Sequence, residues 1–152
     1  MTTTKKGYAL AAKLSPAIGY TEQIAETCSR ICRTAATLHR LNEETCNGPW
    51  WMDNSDQNIG RLYRDQGDSE TFRAARNRHS ERMTQWESDL DAKHDSALRR
   101  LDSLVRDLPE TDAGPWKLDA ETDPRGCSVI IAPADGIVSG DSWGDRNGVC
   151  VP

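Results

Sequence analysis

Long apolar runs are missing from this sequence. Hydrophobic residues make up 36% of its 152 positions and aromatics only 6%. No stretch approaches the roughly 20 apolar residues a membrane-spanning helix needs. The N-terminal "MTTTKKGYALAAKLSPAIGY" has a basic pair but too short an apolar stretch for a signal-peptide core, so the expected compartment is cytosolic. Catalytic signatures are also lacking: there is no Walker loop, no Rossmann fingerprint and no zinc-protease helix. An excess of positive charge is absent as well. The formal net charge is -5, which argues against a general nucleic-acid coat protein, whose basic surface must displace counterions from phosphates.

The charge that is present is unevenly distributed. Residues 1–48 carry six basic and four acidic side chains, residues 49–70 two and five, residues 71–109 eight and seven, and residues 110–152 three and eight. The negative excess therefore belongs to a loop and a tail, and a thin-cored helical middle lies between them. At 152 residues the chain is sized for a single folded domain.

Apolar periodicity predicts two long helices. The first spans 16–46, entered by Ser15-Pro16 unless Gly19 delays its regular part to Thr21. Ile24, Cys28, Ile31, Ala35 and Leu38 recur at spacings of three and four, and Asn47-Gly48-Pro49 supplies a stop. Residues 49–67 show no sustained period and read as a loop. There Trp50, Trp51, Met52, Leu62 and Tyr63 either fold back over the end of the helices or present a binding surface.

The second helix is expected over 68–108, capped by Asp68 or Ser69 and stopped by Pro109. Its apolar line runs Phe72, Ala75, His79, Met83, Trp86, Leu90, His94, Ala97, Leu101, Leu104 and Leu108. The two helices should pack as an antiparallel hairpin. Because the second outreaches the first, Leu101, Leu104 and Leu108 would need another partner, which points to a homodimer. In the tail, Asp123-Pro124-Arg125-Gly126 is a turn signal between strands at roughly 116–121 and 127–132. Val149 to Val151 offers a third strand. The fold class that follows is α+β: a helical hairpin with a small antiparallel sheet, laid out as 16–46, 49–67, 68–108 and 115–152.

"CSRICRTAATLHRLNEETC" places Cys28, Cys32, His39 and Cys46 along one helix. Ligands strung along a single helix cannot all converge on one ion, and the close Cys pairs of structural zinc sites are missing. A small Cys/His metalloprotein would also need His79, His94, Cys127 or Cys150, so the thiols read as core, with no metal or other cofactor expected. The cysteine count is five and odd. Cys28 and Cys32, one turn apart, are poorly placed to bridge each other, and the set reads as reduced. His79 and His94 lie on the apolar line with no nucleophile placed beside them by a motif, so no catalytic residue is assigned.

Arg73, Arg76, Arg78 and Arg82 crowd the start of the second helix, suited to an acidic partner or to phosphates. The neighbouring Glu70 and Glu81 and the run Glu87, Asp89, Asp91 and Asp95 favour an ordinary solvated face. The acidic tail includes Asp141 and Asp145, which complete the candidate partner-binding set of Trp50, Trp51 and the four arginines.

"TLHRLNEETCNG" at 37–48, "DPRGCSVII" at 123–131 and "DRNGVCV" at 145–151, in that order around a charged helical middle, resemble a group of small proteins encoded by bacteriophages and prophages of proteobacteria. The likeness covers the end of the first helix and the tail. No activity is assigned to that group, so no residue-level role carries over. The resemblance implies a phage accessory protein acting in the host cytoplasm. The expected function is non-enzymatic binding and inhibition or modulation of a host protein complex, anti-CRISPR or other anti-defence action included. The alternative is a nucleic-acid-binding accessory protein that uses the arginines.

Overall fold

The computed structural model describes residues 3–51, 70–119, 129–134 and 148–151. Among the described residues three helices are present: α1 (Lys5–Ile18), α2 (Glu22–Asn47) and α3 (Glu70–Arg106). They precede a three-stranded antiparallel sheet of β1 (Trp116–Asp119), β2 (Val129–Pro133) and β3 (Val149–Val151), in the order β1-β2-β3. The fold is α+β. The chain divides into two compact units, one of Met1–Arg40 with Ser96–Pro152 and the other of Leu41–Asp95.

The first of these units begins with an unexpected helix. Ser15-Pro16 does not open a helix but closes one, with Pro16 inside the last turns of α1. Gly19 then takes φ 79, and its N–H donates to the Ser15 carbonyl at 2.8 Å. A β-carbon at that φ would be strained, so glycine suits the break. α2 starts where Gly19 allows it to. The Thr21 hydroxyl accepts from the Ile24 N–H at 3.1 Å, an N-cap that satisfies one of the helix's unpaired donors.

α1 is fastened to α2 at its N-terminus. Thr4 caps α1 by accepting from the Gly7 N–H at 3.0 Å, and its own N–H donates to the Ser29 hydroxyl at 3.0 Å. Ser29, 1% exposed, passes its proton to the Ala25 carbonyl at 3.0 Å. The backbones come so close here that a β-carbon on Gly7 would overlap Ser29. Leu10, Ala11 and Leu14 complete the buried face of α1.

The expected stripe of α2, Ile24, Cys28, Ile31, Ala35 and Leu38, is buried throughout. Ala25, Ser29 and Cys32 are buried as well, which widens the stripe into a broad face. A helix facing one partner needs only a narrow seam, whereas one covered by α1 as well needs more. On α3, Ala97, Leu101 and Val105 are buried and Leu104 is half-buried, and Leu108, just past its end, is buried as well. The leucines expected to lack a partner are therefore covered, and they give no reason for a dimer.

The sheet follows the tail pattern closely. β1 pairs with β2 from Trp116 opposite Pro133 to Asp119 opposite Ile130, and β3 adds Val149 and Val151 opposite Ile131 and Val129. The turn expected at 123–126 lies outside the described residues. All five residues of β2 are buried. Gly148 carries no β-carbon because one would overlap the Ile130 side chain. The Trp116 indole N–H donates to the Pro109 carbonyl at 3.1 Å, which ties β1 to the end of α3. α1 lies against β3.

In the second unit, the end of α2 runs antiparallel to α3. The Trp86 indole N–H donates to Glu44 Oε1 at 3.3 Å, and the Thr45 hydroxyl meets His94 Nε2 at 3.4 Å. Gly48, at φ 76, ends α2 with its N–H donating to the Glu44 carbonyl at 2.9 Å, as Asn47-Gly48-Pro49 foretold. Of the stripe of α3 in this unit, Leu90 is buried, while Phe72, Ala75, His79, Met83 and Trp86 are half-buried.

Candidate partner-binding site

The two adjacent tryptophans after α2 have opposite environments. Pro49 and Trp51 are buried, Trp51 to 8% exposure, while Trp50 between them is 87% exposed. The Arg82 guanidinium lies over the Trp51 ring at 4.0 Å from its centroid, and the His79 ring meets it edge-on at 5.9 Å and 85°. A guanidinium at that distance is attracted by the ring quadrupole and shields the indole from water. The backbone that presents Trp50 is thus held by Trp51, Arg82 and His79. Fold-back and exposure, alternatives in the sequence, are divided between the two residues.

The four arginines of α3 do not share one face. At about 100° per residue, the half-buried stripe leaves Arg73 and Arg76 on one flank and Arg78 and Arg82 on the other. Arg76 sits 5.7 Å from the centroid of its neighbour Phe72, and Arg82 is engaged with Trp51. A linear phosphate backbone following the helix would meet one pair or the other. Asp141 and Asp145 lie outside the described residues, as do Met52, Leu62 and Tyr63.

Cys28 and Cys32 are free and buried, and Cys46 is free and exposed. Burial pushes the Cys28 thiol up to about 12, with Cys32 adding to the rise. Cys32 is raised by burial too, against the pull of Lys6 and Lys13 in the other direction. Thiols held neutral in this way are weak nucleophiles and weak metal ligands. His39, on the same helix, is exposed. Among the described residues, no three His, Cys, Asp or Glu side chains are grouped to hold a metal ion. Cys150 corrects the expectation of five reduced thiols, for it is disulfide-bonded. The argument against a bridge applied to two positions one helical turn apart, and Cys150 sits on a strand. Cys127 lies outside the described residues.

One surface cluster escaped the sequence reading. The Tyr8 hydroxyl donates to Glu22 Oε2 at 3.3 Å and the Tyr20 hydroxyl to Glu22 Oε1 at 3.0 Å, with both rings about half exposed. Partial desolvation, and then the carboxylate, push the Tyr20 hydroxyl above its ordinary value. The three residues clasp the turn between α1 and α2, and only recognition of α1 as a helix would have brought them together.

Comparison of the chain with protein-family models, with curated proteins and with solved structures finds no match. No helix among the described residues is long and apolar enough to cross a membrane.

Proposed function

We propose that the chain is a non-enzymatic, phage-encoded protein that binds a host protein complex and modulates or inhibits it, with anti-CRISPR or other anti-defence inhibition as the narrower form. The observation that carries this reading is Trp50, 87% exposed on a backbone anchored by its buried neighbour. An indole left in water costs apolar exposure that folding does not require, and tryptophan and arginine are the residues most enriched at binding hot spots. Its location in the host cytoplasm rests on the resemblance to phage proteins. The Cys150 disulfide is the observation that weighs against it, since reducing compartments disfavour such bonds.

The test is an affinity pull-down from nuclease-treated host lysate with the tagged chain and with Trp50→Ala. The expected result is one dominant protein complex retained by the native chain and lost with the variant. Equal recovery by both would remove Trp50 from the interface.

Nucleic-acid binding through the arginines is the second reading, favoured by the presence of the exposed Trp50 indole and exposed arginines in the same unit, residue types that stack bases and contact phosphates. It requires affinity that falls steeply with salt and is lost in Arg76→Glu/Arg78→Glu. The division of the arginines between two flanks is what places it second.

A further inference from the structure

The two carboxylate oxygens of Glu22 each accept one hydrogen bond from a tyrosine, Oε2 from Tyr8 and Oε1 from Tyr20. An ionised carboxylate offers about four lone-pair positions, two on each oxygen. One position on each oxygen is therefore left over, and Glu22 forms no ion pair among the described residues. α1 carries three lysines and no acid, yet none of the three pairs with Glu22. Lys6 and Lys13 lie across the buried face of α1 from Tyr8, where they bear on Cys32, and Lys5, three residues before Tyr8, is exposed.

The first turn of a helix favours a carboxylate, so the place of Glu22 at the start of α2 accounts for its charge. It does not account for the rings. Tyr8 is 44% and Tyr20 48% exposed, and with Trp50 and Leu98 they are the large apolar side chains left in water among the described residues. Two of these four thus converge on one carboxylate. Neither ring stacks on the other or on a cation of the chain. Hydrogen bonds between exposed partners add little to stability, whereas holding two aromatic side chains in place at the surface removes their rotational freedom. The arrangement suits a ligand better than it serves the fold.

We propose that Tyr8, Glu22 and Tyr20 form a receptor for an arginine side chain displayed by a partner protein. The guanidinium fork supplies two parallel N–H donors, one to the remaining position on each Glu22 oxygen, and the carboxylate meets its charge. Its flat faces lie against the phenol rings, whose quadrupoles attract a cation. Because both hydroxyls already hold the carboxylate, little of its freedom remains to be lost on binding. A lysine ammonium brings the charge without the fork or the flat face, so the site distinguishes the two cations. Glu22 itself repels a phosphate, which excludes a nucleic-acid backbone. The cluster belongs to Met1–Arg40 and Trp50 to Leu41–Asp95, and the inference rests on the function proposed above only in drawing the arginine from a protein.

Titration of the full chain with N-acetyl-arginine amide, followed by the ring resonances of Tyr8 and Tyr20, tests it without the partner. Saturable shifts of both rings are expected, with a dissociation constant on the order of 10 mM, and binding at least about threefold weaker with N-acetyl-lysine amide. Glu22→Gln removes the charge at nearly constant shape and should weaken the arginine probe at least about fivefold. Tyr8→Leu/Tyr20→Leu keeps the carboxylate, removes the π faces and should weaken it about threefold, read from the backbone amide of Glu22. Circular dichroism of each variant confirms that the helices are intact. No saturable shift of either ring, equal binding of the lysine probe, or an unaltered response in folded Glu22→Gln would each overturn the proposal. Self-association of the native chain that the arginine probe disperses would overturn it too, by giving the site to a second copy. Failure of the probe leaves the Trp50 pull-down unaffected, and the reverse holds as well.

Discussion

At the scale of single residues, Trp50 and Trp51 show how neighbouring identical side chains acquire different roles. Trp51 is buried beneath Arg82 and beside His79, so truncating it removes a large apolar body and strands a guanidinium. Trp51→Ala should cost about 3–5 kcal/mol of stability. Arg82→Ala should cost about 1 kcal/mol, the worth of a partly shielded cation–π contact. Trp50→Ala should fall within about 0.5 kcal/mol of the native chain, since its indole is in water. Urea unfolding of the three variants provides the check. A Trp50 variant as damaged as the Trp51 variant would mean that the indole supports the fold and is not held out for a partner. The sequence "PWWMD" held no hint of this division, because which indole turns inward depends on Arg82 and His79, some thirty residues away.

At the scale of elements, what was legible follows the strength of the local signal. The core faces of α2 and α3 were readable because their apolar residues repeat at helical spacing over many turns, and the end of α2 was readable because Asn47-Gly48-Pro49 combines three stop signals. β1, β2 and β3 emerged from apolar runs set off by turn residues. α1 was missed because its buried face is short, with only Leu10 and Leu14 large beside the small Gly7 and Ala11, and because Pro16 resembles a helix start. Gly7 is the telling residue. In an exposed helix, glycine to alanine gains up to about 1 kcal/mol. Here the added methyl would meet Ser29, so Gly7→Ala should destabilise by about 1–3 kcal/mol through overpacking, and adding Ser29→Gly should recover part of the loss. A stabilised Gly7→Ala protein in denaturant titration would mean that α1 does not pack on α2 as described.

At the scale of the whole molecule, burial and covalent constraint are concentrated in the same unit. Met1–Arg40 with Ser96–Pro152 holds the sheet, the fully buried Leu101 and Val105, and the disulfide-bonded Cys150, whereas in Leu41–Asp95 the α3 stripe is half-buried from Phe72 to Trp86 and buried only at Leu90, and Cys46 is free. Local opening is easiest where buried apolar contact is least, so α3 should not exchange its amides evenly. Hydrogen exchange should be fastest over 72–86 and slowest over 97–105, although one unbroken helix carries both. Reductant should then act selectively. β3 is three residues long, and a strand that short frays readily once its covalent tether is cut, so exchange at 149–151 should rise while 72–86 stays unchanged. Equal protection along α3 would contradict the division into units. Acceleration of 72–86 by reductant would show that the disulfide supports both units, and that chemical reduction in a cytoplasm would loosen the surface bearing Trp50 as well as the sheet.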